Sequence, residues 1–294
     1  MRIGVTGASG MLGTALVPAL RNAGHAVLRI GRGPDADIRW NPAAGALDVE
    51  RCEGIDAFVH LAGANVGQRW TTAHRREIRD SRVEGTALIA RTAAALTPRP
   101  RVLVSASAVG IYGDAGDAVC DEFTSAGHDY LAEVCQAWES SADAARTAGI
   151  RTVHLRFGVI LSRHGGALAK LLPVFRLGAG GRVGSGRQWM SWLSMEDAVG
   201  IVRLALESDR LAGAVNATAP EPVTNEEFTA TLARVVHRPA LFPVPSFVLN
   251  LVFGEMARAT LLASQRAVPR RLQAAGYQFR HATLASALGA AVLE

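Results

Sequence analysis

Short apolar runs alternate with stretches of helical periodicity along most of the chain. This alternation is typical of an α/β protein, in which helices connect the strands of a largely parallel sheet. The run at 56–62 is nearly continuous, as a central strand buried on both faces requires. The runs that predict strands are 1–5, 25–30, 37–40, 56–62, 101–105, 150–157 and 213–218.

The stretches between these strands predict the helices and the domain organisation. Helices are expected at 14–23, 72–96, 129–147, 168–177, 246–253 and 284–293. Pro173 should kink or break the fourth of them. Thr224 and Glu227 have the spacing of a capping box, which predicts another helix from about Glu226. The expected fold class is α/β, with a doubly wound, mostly parallel sheet. We expect residues 1–159, with 189–219 returning to them, to form the main domain, and residues 160–188 and 220–294 to form a smaller lobe.

The stretch Thr6-Gly7-Ala8-Ser9-Gly10-Met11-Leu12-Gly13 joins the first predicted strand to the first predicted helix. Its glycines are spaced GxxGxxG, which differs from the GxGxxG of the standard dinucleotide fingerprint. Glycines permit a tight turn and the close approach of a phosphate, which then faces the amides and the positive dipole end of the helix. This context predicts a dinucleotide-binding loop. The residues expected to contact the ligand are Gly7, Ser9, Gly10, Met11, Leu12 and Gly13.

The second predicted strand ends at Arg32, where the adenosine ribose of a bound dinucleotide would lie. An acidic residue there would bind the 2′-hydroxyl of NAD, and Asp35 or Asp37 is the candidate for that role. Arg32 instead matches the charge and geometry of a 2′-phosphate. A charge-assisted contact of this kind contributes roughly 1.5–3 kcal/mol. Arg32 therefore favours NADP(H), with NAD as the alternative.

The loop after the strand at 56–62 is the second predicted wall of the cofactor groove. Leu61, Ala62 and Gly63 allow the backbone to pass against the adenine ribose and the pyrophosphate. His60 precedes them inside the strand, and we interpret it as a core histidine instead of a catalytic one.

Composition narrows the range of partners and compartments. The net charge is +5, but no basic run interleaved with aromatic residues indicates a nucleic-acid partner. Cys52, Cys120 and Cys135 are unclustered, which argues against a metal site or a disulfide framework and fits a reducing cytoplasm. No signal-peptide pattern precedes the first strand. No apolar run reaches membrane-spanning length, and 247–253 is too short, so we expect no membrane partner. The expected partner is a small-molecule substrate, and a homodimer remains an option.

Several motifs together resemble one branch of the extended short-chain dehydrogenase/reductase superfamily, the atypical, epimerase-like, YfcH-type subfamily. They cover essentially the whole chain, and the middle and C-terminal motifs are more specific than the glycine loop. They are TGASGMLG, HLAGA, RWT, SASAVGIYG, VC-x-x-WE at 134–139, GSGRQWMSW, NATAPEPVTNEEF and QRAVPRRL-x-x-AGY-x-F. The resemblance implies a Rossmann-type fold that binds NADP(H) across the carboxyl ends of its strands, with the smaller lobe covering the nicotinamide.

The resemblance also implies where further site residues lie. Extended members place the catalytic Ser or Thr just after the strand at 101–105, so Ser107 is the first candidate and Ser105 the second. Arg156 lies in a pattern similar to the strand that closes over the nicotinamide, and a charge inside a strand must be paired or reach a ligand. Arg82 falls four residues before Thr86, where relatives usually carry an Asn that supports the active-site backbone.

Proton transfer in this superfamily depends on a Tyr-x-x-x-Lys pair, in which the Lys lowers the pKa of the Tyr. The helix expected at 129–147 contains Tyr130, but the residue four positions on is Val134. Anchoring instead on the Glu of the WE pair places Leu131 and Cys135 at the two positions. Neither register supplies a lysine, and the whole sequence contains only one, Lys170.

Three interpretations of the proton donor therefore remain. Tyr130 acts alone or with another cation such as Arg82, Tyr112 supplies the hydroxyl instead, or the site binds cofactor without turnover. The leading hypothesis is an NADP(H)-dependent oxidoreductase or nucleotide-sugar-epimerase-like enzyme with an unidentified substrate. The second is a non-catalytic NADPH-binding sensor or interaction protein. A hydroxyl within hydrogen-bond reach of a substrate beside the nicotinamide would favour the enzyme.

Overall fold

A computed structural model describes residues 1–293 of the chain. Its strands are, in chain order, β1 (Arg2–Thr6), β2 (Ala26–Gly31), β3 (Ile38–Asn41), β4 (Ala46–Leu47), β5 (Ala57–His60), β6 (Val102–Ala108), β7 (Val119–Cys120), β8 (Arg151–Phe157), β9 (Val159–Leu161), β10 (Trp189–Met190), β11 (Trp192–Ser194), β12 (Gly213–Ala217), β13 (Val223–Thr224) and β14 (Arg266–Ala267).

The large sheet has the strand order β12-β8-β6-β5-β1-β2-β3-β4. Its neighbouring strands are parallel except at one edge, where β3 and β4 are antiparallel. The chain builds outward from β1 in one direction and then continues from β5 in the other, which makes the sheet doubly wound. The carboxyl ends of β1 and β5 therefore flank the crevice where such sheets bind ligands. The predicted fold class is confirmed.

The helices are α1 (Met11–Asn22), α2 (Thr72–Ala95), α3 (Tyr130–Ser140), α4 (Asp143–Thr147), α5 (Gly166–Arg176), α6 (Met195–Glu207), α7 (Asn225–Val235), α8 (Ser246–Phe253), α9 (Arg270–Ala274) and α10 (Leu284–Leu293). Two of them differ from the sequence-based expectation. The helix expected at 129–147 is divided after Ser140 into α3 and α4. Pro173 lies inside α5 without ending it, and its ring is exposed to solvent.

Two hydrophobic clusters cover the two faces of the large sheet. One packs α1 and α6 against it through side chains such as Leu16 and Ile201, and the other packs α2 against it through Ile89. A third cluster joins α5, α7 and α10 through side chains such as Phe175 and Phe228. The two-layered helical cover buries both faces of the sheet, which leaves its carboxyl edge as the accessible region.

Asp197 fastens the C-terminal segment to the main sheet. Its buried carboxylate accepts hydrogen bonds from the Tyr277 hydroxyl at 3.1 Å, the Arg280 amide at 2.8 Å and the His281 amide at 3.0 Å. The pairing of β14 with β7 adds a second attachment. Among the described helices, none combines the length and the apolar character needed to cross a bilayer.

Candidate cofactor and active site

The glycine loop runs from the end of β1 to the start of α1. Gly7 has a φ of +67°, and a Cβ built on it would lie 2.8 Å from the Leu61 carbonyl carbon. A Cβ on Gly13 would lie 2.2 Å from the Gly7 oxygen. Gly10 caps α1 without a side-chain hydrogen bond, and the first turn of the helix contains no acidic residue. The first amides of α1 are therefore left for an anionic ligand.

Thr6 ties the glycine loop to the loop that follows β5. Its hydroxyl accepts hydrogen bonds from the amides of Leu61 at 3.1 Å and Ala62 at 3.3 Å, and lies 2.8 Å from His60 Nδ1. Complete burial lowers the pKa of His60 to about 3, so the ring is neutral. His60 thus supports the crevice from inside the core, while Leu61, Ala62 and Gly63 form its edge.

The end of β2 separates the two candidates for ribose recognition. The Asp37 carboxylate accepts hydrogen bonds from the Arg29 amide at 2.8 Å and from Arg29 Nε at 3.2 Å. Burial opposes ionisation of Asp37, but these contacts outweigh it and hold its pKa low. Arg32 is exposed, and no hydrogen bond or ion pair joins it to another of residues 1–293. Asp37, one of the two acidic candidates, is therefore engaged. Asp35, the other, is exposed and unpaired among residues 1–293, as Arg32 is.

A buried polar network lies below the carboxyl ends of β6, β8 and β12. Glu139 on α3 accepts hydrogen bonds from Arg156 Nε at 2.8 Å and Nη2 at 2.9 Å, and from the Ser107 hydroxyl at 2.7 Å. Burial disfavours the charge on each partner, but the ion pair outweighs it, lowering the pKa of Glu139 and raising that of Arg156. Arg156 also donates to the Tyr112 hydroxyl at 3.1 Å. The charge of Arg156 is thus paired inside the protein.

The hydroxyls of Ser107 and Tyr112 are committed to this network. Because Ser107 donates to Glu139, its oxygen can only accept a hydrogen bond from a ligand. The Tyr112 hydroxyl lies 2.7 Å from Asn216 Oδ1 and 2.9 Å from the Asp121 carbonyl, and burial raises its pKa to about 12. The structure therefore argues against Tyr112 as a proton donor to substrate. Ser105, the second serine candidate, is fully buried in β6.

Tyr130 begins α3 and points toward α2. Its hydroxyl donates to the Arg75 carbonyl, and the Arg75 guanidinium lies 4.1 Å from the ring centroid. Trp70 packs edge-on against the same ring at 5.2 Å. Burial raises the pKa of Tyr130, and nearby Arg75 and Arg82 partly oppose that shift. Tyr130 is therefore a neutral, half-buried phenol.

Leu131 and Cys135 occupy the face of α3 that meets the turn after β6. A Cβ built on Gly110 in this turn would lie 3.7 Å from Leu131 Cβ and 4.0 Å from Cys135 Sγ. Burial raises the pKa of Cys135 to about 12, so its thiol is neutral at physiological pH. The register that is anchored on Glu139 therefore puts an aliphatic side chain and a neutral thiol where the family's pair would stand.

Arg82 supplies a half-buried cation close to that face. It donates from Nη1 to the carbonyls of Ala64 and Ile78, each at 3.0 Å, and its guanidinium lies 5.0 Å from the Trp138 ring centroid. Burial lowers its pKa, and Cys135 and Tyr130 are near enough to oppose this shift. An arginine keeps its charge even when buried. Arg82 therefore joins the β5 loop to α3 as a fixed positive charge.

Two cavities adjoin these groups. One of about 270 Å³ lies beside the first turn of α1 and is lined by Met11, Thr14 and residues 161–164 among others. The other, of about 230 Å³, opens next to Tyr130. Its further lining residues are Asp114, Asp129, Glu255, Arg258, Ala259 and Ala263. The second cavity is the space nearest to the tyrosine that the sequence singled out.

Sequence reasoning used Glu139 only as an alignment anchor and missed its structural role. The signal was available, because a serine at the end of one strand and an arginine inside the next both require a buried acidic partner. The pairing of Arg29 with Asp37 was also missed, since nothing in the linear spacing shows which of two acids is engaged.

Two family profiles match the chain. The NAD dependent epimerase/dehydratase family matches residues 3–217, and a domain of unknown function, DUF1731, matches residues 244–291. The first covers β1 to β12 and hence the whole large sheet. The second covers most of the segment that Asp197 fastens to it.

Individual relatives match over nearly their entire length. An epimerase family protein of Mycobacterium bovis is 44% identical over 291 residues, covering 98% of this chain and 96% of the relative. Human epimerase family protein SDR39U1 is 37% identical, covering 98% of both chains. A crystal structure of human SDR39U1 with NADPH aligns with a TM-score of 0.90 at 34% identity, covering 100% of both chains.

Proposed function

The chain belongs to the NAD dependent epimerase/dehydratase family, and on that premise we propose that it is an NADP(H)-dependent enzyme of the extended short-chain reductase type. It acts as an oxidoreductase or an epimerase-like enzyme on a small molecule. The observation that carries the proposal is the division of roles at the end of β2. Asp37, one of the two acids near the strand end, is paired with Arg29, and the exposed Arg32 guanidinium is available for a 2′-phosphate.

The residues of the crevice fit the cofactor. The backbone of Gly7 and Gly13 passes where a Cβ would collide with the neighbouring chain, so these positions preserve the tight turn that a pyrophosphate needs. The first amides of α1 would hold the pyrophosphate, Arg32 the 2′-phosphate, and Leu61 to Gly63 the adenosine side. The human relative crystallised with NADPH supports the same choice of cofactor.

The cofactor supplies a hydride donor or acceptor, and the chain must then handle the proton. Tyr130 is the candidate general acid because it lines a cavity and its neutral hydroxyl has one hydrogen-bond partner, the Arg75 carbonyl, to exchange for a substrate oxygen. Arg82 and Arg75 stabilise a developing phenolate. Ser107 orients the substrate by accepting a hydrogen bond from it, because the Ser107 hydroxyl already donates its own proton to Glu139. This division replaces the missing lysine by arginine charges from α2.

The cofactor assignment is tested by calorimetric titration with NADPH and NADH at fixed salt. Arg32→Ala is expected to weaken NADPH binding about ten- to a hundredfold, the value of one charge-assisted contact, and to leave NADH binding unchanged. Arg203→Ala, which removes an arginine side chain on α6 that is 42% exposed, is the matched control and should change neither affinity. Equal losses for both cofactors in Arg32→Ala would contradict the 2′-phosphate role.

The proton role is tested with two tyrosine variants on an identified carbonyl or nucleotide-sugar substrate. Tyr130→Phe is expected to lower kcat by about a hundredfold or more, the usual contribution of a general acid, with NADPH affinity unchanged. Tyr112→Phe should lower stability but retain kcat, because its hydroxyl faces the interior. Full turnover by Tyr130→Phe would show that another group transfers the proton.

A second function, a non-catalytic NADPH sensor, is favoured by the apolar Leu131 and the neutral Cys135 on the face of α3 nearest to the β6 turn. A sensor must bind the reduced and oxidised cofactors with different affinities, because a ligand shifts a state only by its differential binding. NADPH binding about tenfold or more tighter than NADP⁺ binding, without turnover of any carbonyl tested, would support it. Equal affinity for NADPH and NADP⁺ would contradict the sensor function and favour the enzyme.

A further inference from the structure

Seven of the ten large apolar side chains that are exposed in residues 1–293 lie in two segments, 174–177 and 241–252. We call these seven side chains the apolar surface. Isolated exposed apolar residues are ordinary, but a concentration of them marks an interaction site. Its members, with their exposed fractions, are Val174 (44%), Leu177 (83%), Leu241 (74%), Phe242 (61%), Phe247 (70%), Leu251 (75%) and Val252 (50%).

Backbone contacts bring the two segments together. Ala179 pairs with Ala240 and Val183 with Val244. The Phe242 amide donates to the Gly180 carbonyl at 3.1 Å. The segment after α5 therefore runs alongside the segment that leads into α8, so the exposed side chains of both are carried by neighbouring stretches of chain.

Helix α8, with the sequence SFVLNLVF, presents more apolar surface than its own fold uses. Only Leu249 is buried within it. Phe247 and Leu251 are four residues apart, so they share one helical face, and that face is open to solvent. A helix that is apolar nearly all round is normally buried on several sides. Here the Phe247 and Leu251 side chains are exposed, although Arg69 donates to the backbone carbonyls of Leu251 and Val252.

The exposed charges in the segments that carry the apolar surface are basic, and the exposed Glu226 of α7 adjoins them at Gly186. Segments 174–187 and 234–258 contain six arginines, all exposed, and one acidic residue. That residue, Glu255, is half-buried and paired with Arg75 at 2.9 Å. The exposed arginines are Arg176, Arg182, Arg187, Arg234, Arg238 and Arg258.

We propose that this surface docks on the face of an anionic lipid bilayer. The apolar side chains enter the boundary between headgroups and acyl chains, and the surrounding arginines bind lipid phosphates, which they match in charge and geometry. A symmetric contact between two copies would instead bring together two rims in which exposed arginines outnumber carboxylates. The expectation of no membrane partner considered only spanning length; the surface arises from short segments that the fold assembles.

The proposal is tested by flotation of the purified protein with vesicles of phosphatidylcholine alone or with added phosphatidylglycerol. We expect binding to the anionic vesicles that weakens as salt is raised, because the arginine contribution is screened. The double variant Phe247→Ser/Leu251→Ser is expected to lower the vesicle partition coefficient at least about tenfold. Arg176→Gln/Arg187→Gln should lower it for anionic vesicles and reduce the dependence on salt.

Phe123→Ser is the matched control, because Phe123 is 68% exposed but lies outside the apolar surface. It should bind vesicles as the native protein does. Unchanged NADPH affinity in every variant reports that the fold and the cofactor site are intact, so the outcome does not depend on the proposed enzymatic function. Absence of flotation with anionic vesicles, or equal flotation of the Phe247/Leu251 variant, would overturn the proposal. So would light scattering that shows a dimer which this variant dissociates, since the surface would then be an interface between copies.

Discussion

The two sides of the crevice use their polar groups in opposite ways. On the side of β1 and β2, the first amides of α1 and the Arg32 guanidinium are left without protein partners among the described residues. On the side of α3 and β6, the polar groups bind one another, as when Ser107 donates to Glu139 and Glu139 pairs with Arg156. The side of β1 and β2, the open side, has free donors for a ligand. The side of α3 and β6, the closed side, has polar groups that satisfy one another.

This difference suggests that cofactor binding and proton transfer are under separate constraints. A cofactor must meet unsatisfied donors, so the glycine loop keeps its amides open. A buried carboxylate must be paired, so Glu139 stabilises the fold before it serves any reaction. On the second side, neither Tyr130 nor Leu131 is followed four residues on by a lysine, whereas the first side carries its glycine loop. Variants on the two sides should therefore change different quantities.

The largest expected effect comes from Glu139→Gln, which disrupts the ion pair with Arg156 on the closed side. Removing one partner of a buried ion pair leaves Arg156 uncompensated, and we expect a loss of about 3 kcal/mol in the free energy of unfolding at neutral pH. NADPH affinity should stay near the native value, because the glycine loop is untouched. Urea denaturation measures the first quantity and calorimetry the second. The control Asp143→Asn removes a pair with Arg146 in which both side chains are exposed, and should cost less than about 1 kcal/mol.

The same variant carries a pH signature. The native pKa of Glu139 is lowered from its ordinary value of 4.5. Its stabilisation is therefore complete above pH about 4.5 and is lost as pH falls through the lower native pKa. Glu139→Gln should be less stable at neutral pH but should lose less further stability in acid. Parallel pH profiles for the native protein and the variant would contradict the pairing of Glu139 with Arg156.

The next effect comes from blocking the open side with Gly10→Val. Gly10 has an ordinary φ of −78°, and the nearest atom to an added Cβ is the Gly7 oxygen at 3.2 Å. The branched side chain would stand beside the amides that face the pyrophosphate. We expect about a hundredfold loss of NADPH affinity, or about 2.8 kcal/mol, with little unfolding. Gly289→Val on α10, where an added Cβ meets nothing within 4 Å, is the control. Native affinity in Gly10→Val would remove the loop from the cofactor site.

The fold was largely predictable because its determinants are local and periodic. Buried strands and the capping box at Thr224 have direct sequence signals, and α8 begins and ends where its apolar run does. The division of α3 from α4 was missed, because the sequence between Ser140 and Asp143 contains no glycine or proline to mark it. A short helix end that depends on tertiary packing leaves little trace in the sequence.

The candidate site was predictable only in part, for a physical reason. Glycine spacing indicates the local backbone conformation directly, so the loop from Gly7 to Gly13 was predicted to bind a ligand. Side-chain partnerships depend on which residues the sheet brings together. The sequence identified Arg156 as a charge that needed a partner, but that partner, Glu139, lies on another element. The same is true of the apolar surface, whose two halves are far apart along the chain.

The smallest expected effect is a change in the preference of the open side for NADPH over NADH. Arg29→Ala removes the guanidinium that neutralises Asp37, while the backbone amide bond to Asp37 remains. The freed carboxylate repels a 2′-phosphate and is available to a ribose 2′-hydroxyl. We expect the ratio of NADPH to NADH affinity to fall about tenfold, or about 1.4 kcal/mol, with Arg203→Ala as the unchanged control. If the ratio stays constant while Arg32→Ala collapses it, Arg32 alone selects the cofactor and the Arg29–Asp37 pair is structural.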